Sequence, residues 1–238
     1  MNMDNILLKY MEKRYESKII DPKREMFCEG PVVTISRECG CTAINIANMM
    51  AEKLSHKTGK KWNCLTKEIL ERSARELNLD PAKLEYVFNS KEKSTWDEIL
   101  GALSSKYYHS DRKIKKTIAE VVKSFACKGN CIIIGRGGVV LTNDIERSFH
   151  IKLQAPLEWR ATQLQKIYKL SMDEMIKYAN DIDKKREILR NYFNKEPLPN
   201  TVFDVIFNSK QITDEQIVDA SISLMEKKGV LGKQIVMG

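Results

Sequence analysis

The sequence predicts an α/β fold built on a doubly wound parallel sheet, and three observations indicate it. Short apolar runs typical of buried strands alternate along the chain with segments of helical periodicity. Two of the predicted strands end in glycine-containing loops that lead into helices. The 238 residues suffice for a large domain with a full core. Because such sheets bind ligands beyond the carboxyl ends of their strands, the candidate site is expected at that edge.

The first strand-loop-helix unit starts at Val32. A run rich in β-branched residues from Val32 to Ser36 predicts a strand, and a loop over 37–42 follows it. Apolar residues then recur at helical spacing from Ala43 to Leu54, and this helix is expected to end before Gly59.

The remaining elements continue the alternation. Further strands are expected at 131–134, 149–153 and 203–207, the first of them broken by the glycines of 135–138. A proline is tolerated in a first helical turn, so Pro156 is expected to open a helix over 157–168. Capping boxes predict the start of two more helices, Ser171 with Glu174 and Thr213 with Gln216.

Two segments lie outside this alternation. Residues 1–30 are expected to form an N-terminal amphipathic helix, from Met3 to Tyr15, and a linker ahead of the main domain at 31–238. Because such a helix could pack on a second copy of the chain, the sequence does not decide between a monomer and a homodimer. The stretch 66–128 is helical in pattern and too long for one crossover, so it is expected to form a helical cap that carries substrate selectivity.

Composition and charge limit the classes of function. The net charge of +8 and the pI near 9.1 favour polyanionic partners such as nucleotides. A nucleic-acid-binding module is an alternative, but the basic residues are interleaved with acids and no aromatic stacking strand is evident, so nucleic acid is not expected. No apolar run approaches the roughly 18 residues of a membrane span and no signal peptide is evident, so a cytoplasmic protein is expected.

The cysteines and histidines offer few candidate catalytic, redox or metal-binding sites. The six cysteines are too sparse for a secreted disulfide framework and are expected to be reduced, and their spacing does not predict a metal site. A helix N-terminus lowers a thiol's pKa, so Cys39 and Cys41 could serve a redox role, although small side chains packed beside the loop are the favoured interpretation. The three histidines form no catalytic triad, and His150 is expected to be packed within a strand.

The loop after the first strand lies where a phosphate-binding loop would lie, because backbone amides at a helix N-terminus attract anions. It does not meet the pattern G-x-x-x-x-G-K-[ST], since Ala43 takes the place of the lysine. A strand–helix junction of purely structural meaning is the alternative. The candidate cofactor-binding residues are Arg37, Cys39, Gly40, Cys41, Thr42, Ala43 and Asn45.

Several segments in order resemble the cytidylate kinase-like family over residues 31–228. They are Ile132 to Gly138, Phe149 to Arg160 and the run Asp183-Lys184-Lys185-Arg186, and Ile35-Ser36-Arg37-Glu38 is similar to the start of a variant branch. The resemblance implies a P-loop fold of the nucleoside-monophosphate kinase type with ATP, Mg²⁺ between the phosphates, and a pyrimidine monophosphate such as CMP or dCMP. The reaction would be phosphoryl transfer.

The resemblance also implies roles for particular residues. Arg136, beside Gly137, would grip the acceptor phosphate, and Arg160 would reach the same cleft or hold a structural pair. A lid over 157–195 would bring Lys184, Arg186 and Arg190 over the transferred phosphate. On the acceptor side, Glu68 would substitute for an aspartate that is absent at Thr66.

The chain departs from the family pattern at the loop. Thr42, Ala43 and Ile44 make it poorer in glycine and in positive charge than the family's loop. A catalytically degenerate protein that binds a nucleotide or another anion without turnover is therefore the alternative to a kinase.

Overall fold

The computed structural model describes residues 28, 30–65, 119 and 122–232. The N-terminal helix expected over 3–15, Glu68 and most of the cap expected over 66–128 lie outside the described residues. At the end of the expected cap, residues 119 and 122–128 are helical.

In the described part of the chain, five parallel strands form one sheet with the order β2-β3-β1-β4-β5. This arrangement confirms the predicted parallel α/β fold. The strands are β1 (Val32–Arg37), β2 (Asn63–Leu65), β3 (Cys131–Ile134), β4 (Ser148–Gln154) and β5 (Val205–Asn208).

The helices that surround the sheet are α1 (Ala43–Thr58), α2 (Gly138–Leu141), α3 (Leu157–Gln165), α4 (Met172–Asn194) and α5 (Asp214–Lys227). Both predicted capping boxes are present, at the starts of α4 and α5. Gly59, with φ 63°, ends α1 as expected. No helix in the described part of the chain has the length and apolar character needed to cross a membrane.

The strand expected at 203–207 begins later in the structure, at Val205. A 3₁₀ turn over Asn200–Val202 precedes it, and the backbone N–H of Asp204 donates to the carbonyl of His150 at 2.8 Å. The helix expected over 157–168 ends at Gln165, because the chain turns there toward the capping box of α4.

Apolar side chains cover both faces of the sheet. On one face α1 and α5 pack on the strands through Ile46, Met50 and Ile217. On the other face the helical residues 122–128 and α2 pack through Val122 and Leu141. Strands buried on both faces account for the nearly continuous apolar runs seen in the sequence.

The strand order creates a crevice at the carboxyl ends of β1 and β3. After β1 the chain crosses to β2 on one side, and after β3 it crosses to β4 on the other side of β1. The two loops therefore diverge, and the space between them is the topological switch point at which such sheets bind ligands.

The prediction that all six cysteines are reduced is wrong for one pair, since Cys28 and Cys127 form a disulfide. Val32 pairs with Cys131 in the register of β1 and β3, and each bonded cysteine lies four residues upstream of one of these partners. Sequence spacing alone does not reveal this, because it depends on the two strands being neighbours. The other four cysteines are free.

His150 is packed within β4, as expected, with 3% of its surface exposed. Its Nδ1 lies 2.8 Å from the hydroxyl of Thr34 on the neighbouring strand. Burial lowers the pKa of His150 to about 4, while the charge of Asp204 opposes this shift and that of Lys228 adds to it.

We predict that His150 makes the protein less stable as the pH falls from 6.5 toward 4. In this window the unfolded imidazole binds a proton that the folded one does not, so folding loses up to roughly 3 kcal/mol. His150→Asn is expected to flatten that part of the profile in urea denaturation followed against pH. The exposed His56→Gln is the matched control, and an unchanged slope in His150→Asn contradicts the prediction.

Candidate functional site

The loop over 38–42 joins β1 to α1 at the edge of the crevice. Its turn is closed by a hydrogen bond from the Cys41 N–H to the Glu38 carbonyl at 3.2 Å. Gly40 has a φ of 93°, and a Cβ there would lie 2.8 Å from the carbonyl oxygen of Arg160. Only glycine fits both this conformation and this close approach, so the loop rests directly on the backbone of α3.

Beneath the loop lies Arg160, of which only 6% is exposed. Its Nη1 donates to the Cys39 carbonyl at 3.0 Å and to Asp183 Oδ2 at 2.7 Å. Its Nε donates to the Ala155 carbonyl at 3.0 Å and lies 3.3 Å from the Glu38 carboxylate. A buried charge needs such pairing. Arg160 therefore joins the loop, through Cys39 and Glu38, to Asp183 of α4 and to Ala155 just ahead of α3.

The helix α4 reaches the loop through Asp183. Its Oδ1 accepts the Cys39 N–H at 2.7 Å, and its Oδ2 accepts Arg160 Nη1. Asp183, Arg186 and Arg190 are spaced three and four residues apart, so they share one face of α4. That face is turned toward the carboxyl end of β1, where Arg186 Nη1 donates to the Arg37 carbonyl at 2.9 Å.

Three arginines from separate elements come together at this end of the sheet. Arg37 ends β1 and its guanidinium lies over Gly135, where a Cβ would overlap Nη1. Arg136 follows β3, and Arg186 reaches in from α4. We call Arg37, Arg136 and Arg186 the arginine cluster.

Within the arginine cluster, the surroundings of Arg37 disfavour its charged form. Burial, followed by the positive charges of Arg186 and Arg136, lowers the pKa of Arg37 to about 9, and the negative charge of Asp183 offsets only part of this. Burial also lowers the pKa of Arg190 on the same face of α4. A cation whose charged form is disfavoured in this way marks a position where a bound anion would be stabilised.

The loop after β3 holds Arg136 in an unusual backbone conformation. Arg136 has a φ of 56° and lies between Gly135 at 69° and Gly137 at 70°. Left-handed geometry costs a side-chain-bearing residue roughly 1–3 kcal/mol and persists where the surrounding structure imposes it, often at functional sites. Here it places Arg136 at the edge of the crevice.

The N-terminus of α1 faces the same crevice. Its N-cap is Thr42, which makes no side-chain cap, and no acidic residue lies in its first turn. Thr42, Ile44 and Asn45 are exposed, and the Thr42 hydroxyl lies 3.4 Å from Asp214 Oδ1. The helix therefore presents amides to an anion, which is the property expected of a phosphate-binding loop.

The redox alternative for Cys39 and Cys41 is not supported. Both side chains are buried. Burial raises the pKa of the Cys39 thiol and raises that of Cys41 to about 11, so the thiolate forms are disfavoured. Both residues fit the favoured interpretation of small side chains packed beside the loop.

The structure brings together most of the residues singled out from the sequence. Arg136, Arg186 and Arg190 meet the loop and Arg37 around the crevice, whereas Arg160 lies behind the loop with its guanidinium bound to protein groups. Lys184 is exposed on α4.

Sequence reasoning missed Asp183 and Glu38 as partners of Arg160. The spacing of Asp183 three residues before Arg186 indicates a pair between those two on one helix, but it gives no signal for the contact of Asp183 with Arg160. No comparable signal connects Glu38 to Arg160, because their contact depends on the fold.

Comparison with known proteins identifies a family and supports the fold. A model of the cytidylate kinase-like family matches residues 32–211, which span every strand from β1 to β5. No match is found among curated proteins.

Two solved structures are similar. One is an uncharacterized protein from Eubacterium ventriosum ATCC 27560, with a TM-score of 0.57 and 12% identity over 84% of this chain and 99% of that chain. The other is TT1252 from Thermus thermophilus, with a TM-score of 0.41 and 13% identity over 82% of this chain and 97% of that chain. At such identity the first of these supports the fold alone.

We predict that Arg160→Met destabilises the folded protein by about 3–5 kcal/mol, because Glu38 and Asp183 lose the cation that pairs them beneath the loop. Urea denaturation measures the effect. Lys123→Met is the matched control: it removes a cation from an exposed pair with Asp144 and is expected to change stability by less than about 0.5 kcal/mol. A loss in Arg160→Met as small as the control's would show that the network does not hold the loop.

Proposed function

The chain belongs to the cytidylate kinase-like family, and on that basis we propose that it transfers the terminal phosphoryl group of ATP to a nucleoside monophosphate. CMP and dCMP are the favoured acceptors. The observation that carries the proposal is the arginine cluster at the carboxyl ends of β1 and β3, beside a loop whose helix presents its amides to the same crevice.

Phosphoryl transfer suits this arrangement because it needs positioned cations rather than a covalent nucleophile. Guanidinium groups bind phosphate oxygens through paired hydrogen bonds, and the mutual repulsion in the arginine cluster is relieved when an anion lies between its members. The nucleotide phosphates therefore supply negative charge beside Arg37, whose charged form the protein surroundings disfavour.

Each cation has a role that follows from its position. Arg136, at the end of β3, binds the acceptor phosphate. Arg186 and Arg190, on one face of α4, stabilise the charge of the phosphoryl group in transfer. Arg37 brings a positive charge to the end of β1 and substitutes for the lysine that is missing at Ala43.

The residues beside the loop fit a Mg²⁺ ion held mainly by nucleotide phosphates. Mg²⁺ takes oxygen ligands, and two oxygen donors lie next to each other here, the Thr42 hydroxyl at the start of α1 and the Asp214 carboxylate at the start of α5. Burial and the neighbouring Glu215 raise the pKa of Asp214, a shift that a nearby cation would reverse. When bound, the ion would neutralise charge on the phosphates.

A second candidate function is anion or nucleotide binding without turnover. It is favoured by the first turn of α1, where Ala43 and the exposed Ile44 supply no cation to the terminal phosphate. The two functions differ in one measurable respect, which is acceptor-dependent release of ADP from MgATP.

We predict acceptor-dependent ADP release by the wild-type protein and a loss of about 100-fold or more in kcat/KM for the acceptor in Arg136→Ala, as expected when a charged donor to the reacting phosphates is removed. A coupled ADP assay across CMP, dCMP and other monophosphates measures both. Lys123→Ala, with an exposed side chain paired to Asp144, is the control expected to keep wild-type activity.

Two results would decide against the kinase. Saturable MgATP binding with no ADP release for any monophosphate would support the binding-only function. Full activity in Arg136→Ala would exclude the role given to that arginine.

A further inference from the structure

We propose that Asp183 is a positioning residue that fixes the loop over 38–42 and the guanidinium of Arg186 relative to each other before any nucleotide binds. The inference rests on the proposed function, since it names the residue that arranges the site for transfer. The Asp183 carboxylate itself accepts hydrogen bonds from protein groups, the Cys39 N–H and Arg160 Nη1.

The carboxylate of Asp183 contacts three different elements. Its Oδ1 accepts the Cys39 N–H of the loop at 2.7 Å and lies 3.5 Å from Nη1 of Arg186 on its own helix. Its Oδ2 accepts Nη1 of Arg160, from α3, at 2.7 Å. One side chain therefore joins the loop, the α3 helix and the arginine that would face the transferred phosphoryl group.

Apolar packing places Asp183 at this junction. Cys39 lies in a buried cluster with Ala161 and Leu164 of α3 and Met175, Ala179 and Ile182 of α4. The first part of α4 is thus held against the loop by side chains that exclude water. Asp183 follows Ile182 directly, so the packing delivers its carboxylate to the Cys39 amide and leaves Arg186 one turn further on.

Charge explains why an acid is needed here. Arg160 is buried, and Arg186 lies close enough to Arg37 to donate to its carbonyl. The negative charge of Asp183 offsets the repulsion among these guanidinium groups and lets Arg186 stay beside the end of β1. Without it Arg186 would keep its hydrogen bond to the Arg37 carbonyl but lose the negative charge that lies beside its guanidinium.

Two substitutions separate the two contacts. Asp183→Asn keeps an oxygen that accepts the Cys39 N–H but removes the negative charge beside both Arg186 and Arg160. Asp183→Ala removes the oxygen as well as the charge. Asp219→Asn, at an exposed acid paired with Lys53, is the matched control. Amide hydrogen exchange at Cys39 reports the loop contact, kcat and KM report transfer, and thermal denaturation shows that each variant is folded.

The two variants have different expected results. In Asp183→Ala, exchange at Cys39 rises at least about tenfold, as expected for the loss of a hydrogen bond to a charged group. In Asp183→Asn it stays within about threefold of wild type. Both variants lose about tenfold or more in kcat while KM for ATP changes less than about threefold, since an interaction of the transition state is affected. The control matches wild type throughout.

Other results would overturn the proposal. A purely structural residue would lower the denaturation temperature and leave kcat of the folded protein unchanged. Unchanged Cys39 exchange in folded Asp183→Ala would also overturn it. Should Asp183→Ala fail to fold, kcat of Asp183→Asn decides. If the wild type transfers no phosphoryl group, the proposed function fails, and Cys39 exchange alone decides whether Asp183 fixes the loop.

Discussion

The pairing of the buried Arg160 guanidinium is the interaction on which the site depends. A buried cation is stable only when its hydrogen bonds and its charge are matched, and Arg160 obtains both from the loop carbonyl of Cys39, from Glu38 and from Asp183. These partners come from the end of β1 and from α4. Satisfying one buried side chain therefore fixes the loop conformation and docks α4 against it.

The docked position of α4 also determines where positive charge lies in the site. Its face carries Arg186 and Arg190 to the crevice between β1 and β3, where Arg37 and Arg136 already lie. The negative charge of Asp183, which also pairs with Arg160, offsets only part of the positive charge there. The fold thus supplies a concentrated charge at the edge where a parallel sheet binds ligands, and a phosphate group is the chemistry that matches it.

Local sequence signals predicted the elements well and their contacts poorly. Val32 to Ser36, Cys131 to Ile134 and the two capping boxes were sufficient to place strands and helix starts, because these features depend on neighbouring residues. The disulfide of Cys28 with Cys127 and the contact of Glu38 with Arg160 depend on strand order and on packing between distant segments. No local pattern encodes them.

The arginines fall between these two cases. Arg136 and Arg186 could be singled out from the family resemblance, but their approach to Arg37 is a product of the switch point and of the face that α4 turns toward the sheet. The missing lysine at Ala43 suggested a degraded loop. In the structure, other elements bring positive charge to the same edge of the sheet. The sequence of the loop alone does not reveal this, because these arginines lie outside it.

The most direct test of the account is an experimental structure of the protein with a nonhydrolysable ATP analogue, Mg²⁺ and CMP. Phosphate oxygens are expected within hydrogen-bond distance of Arg37, Arg136 and Arg186, with the first-turn amides of α1 on the nucleotide side and the Arg160 network unchanged. Phosphates bound elsewhere, or arginines of the cluster turned away from them, would show that the arginine cluster is not a phosphate-binding site.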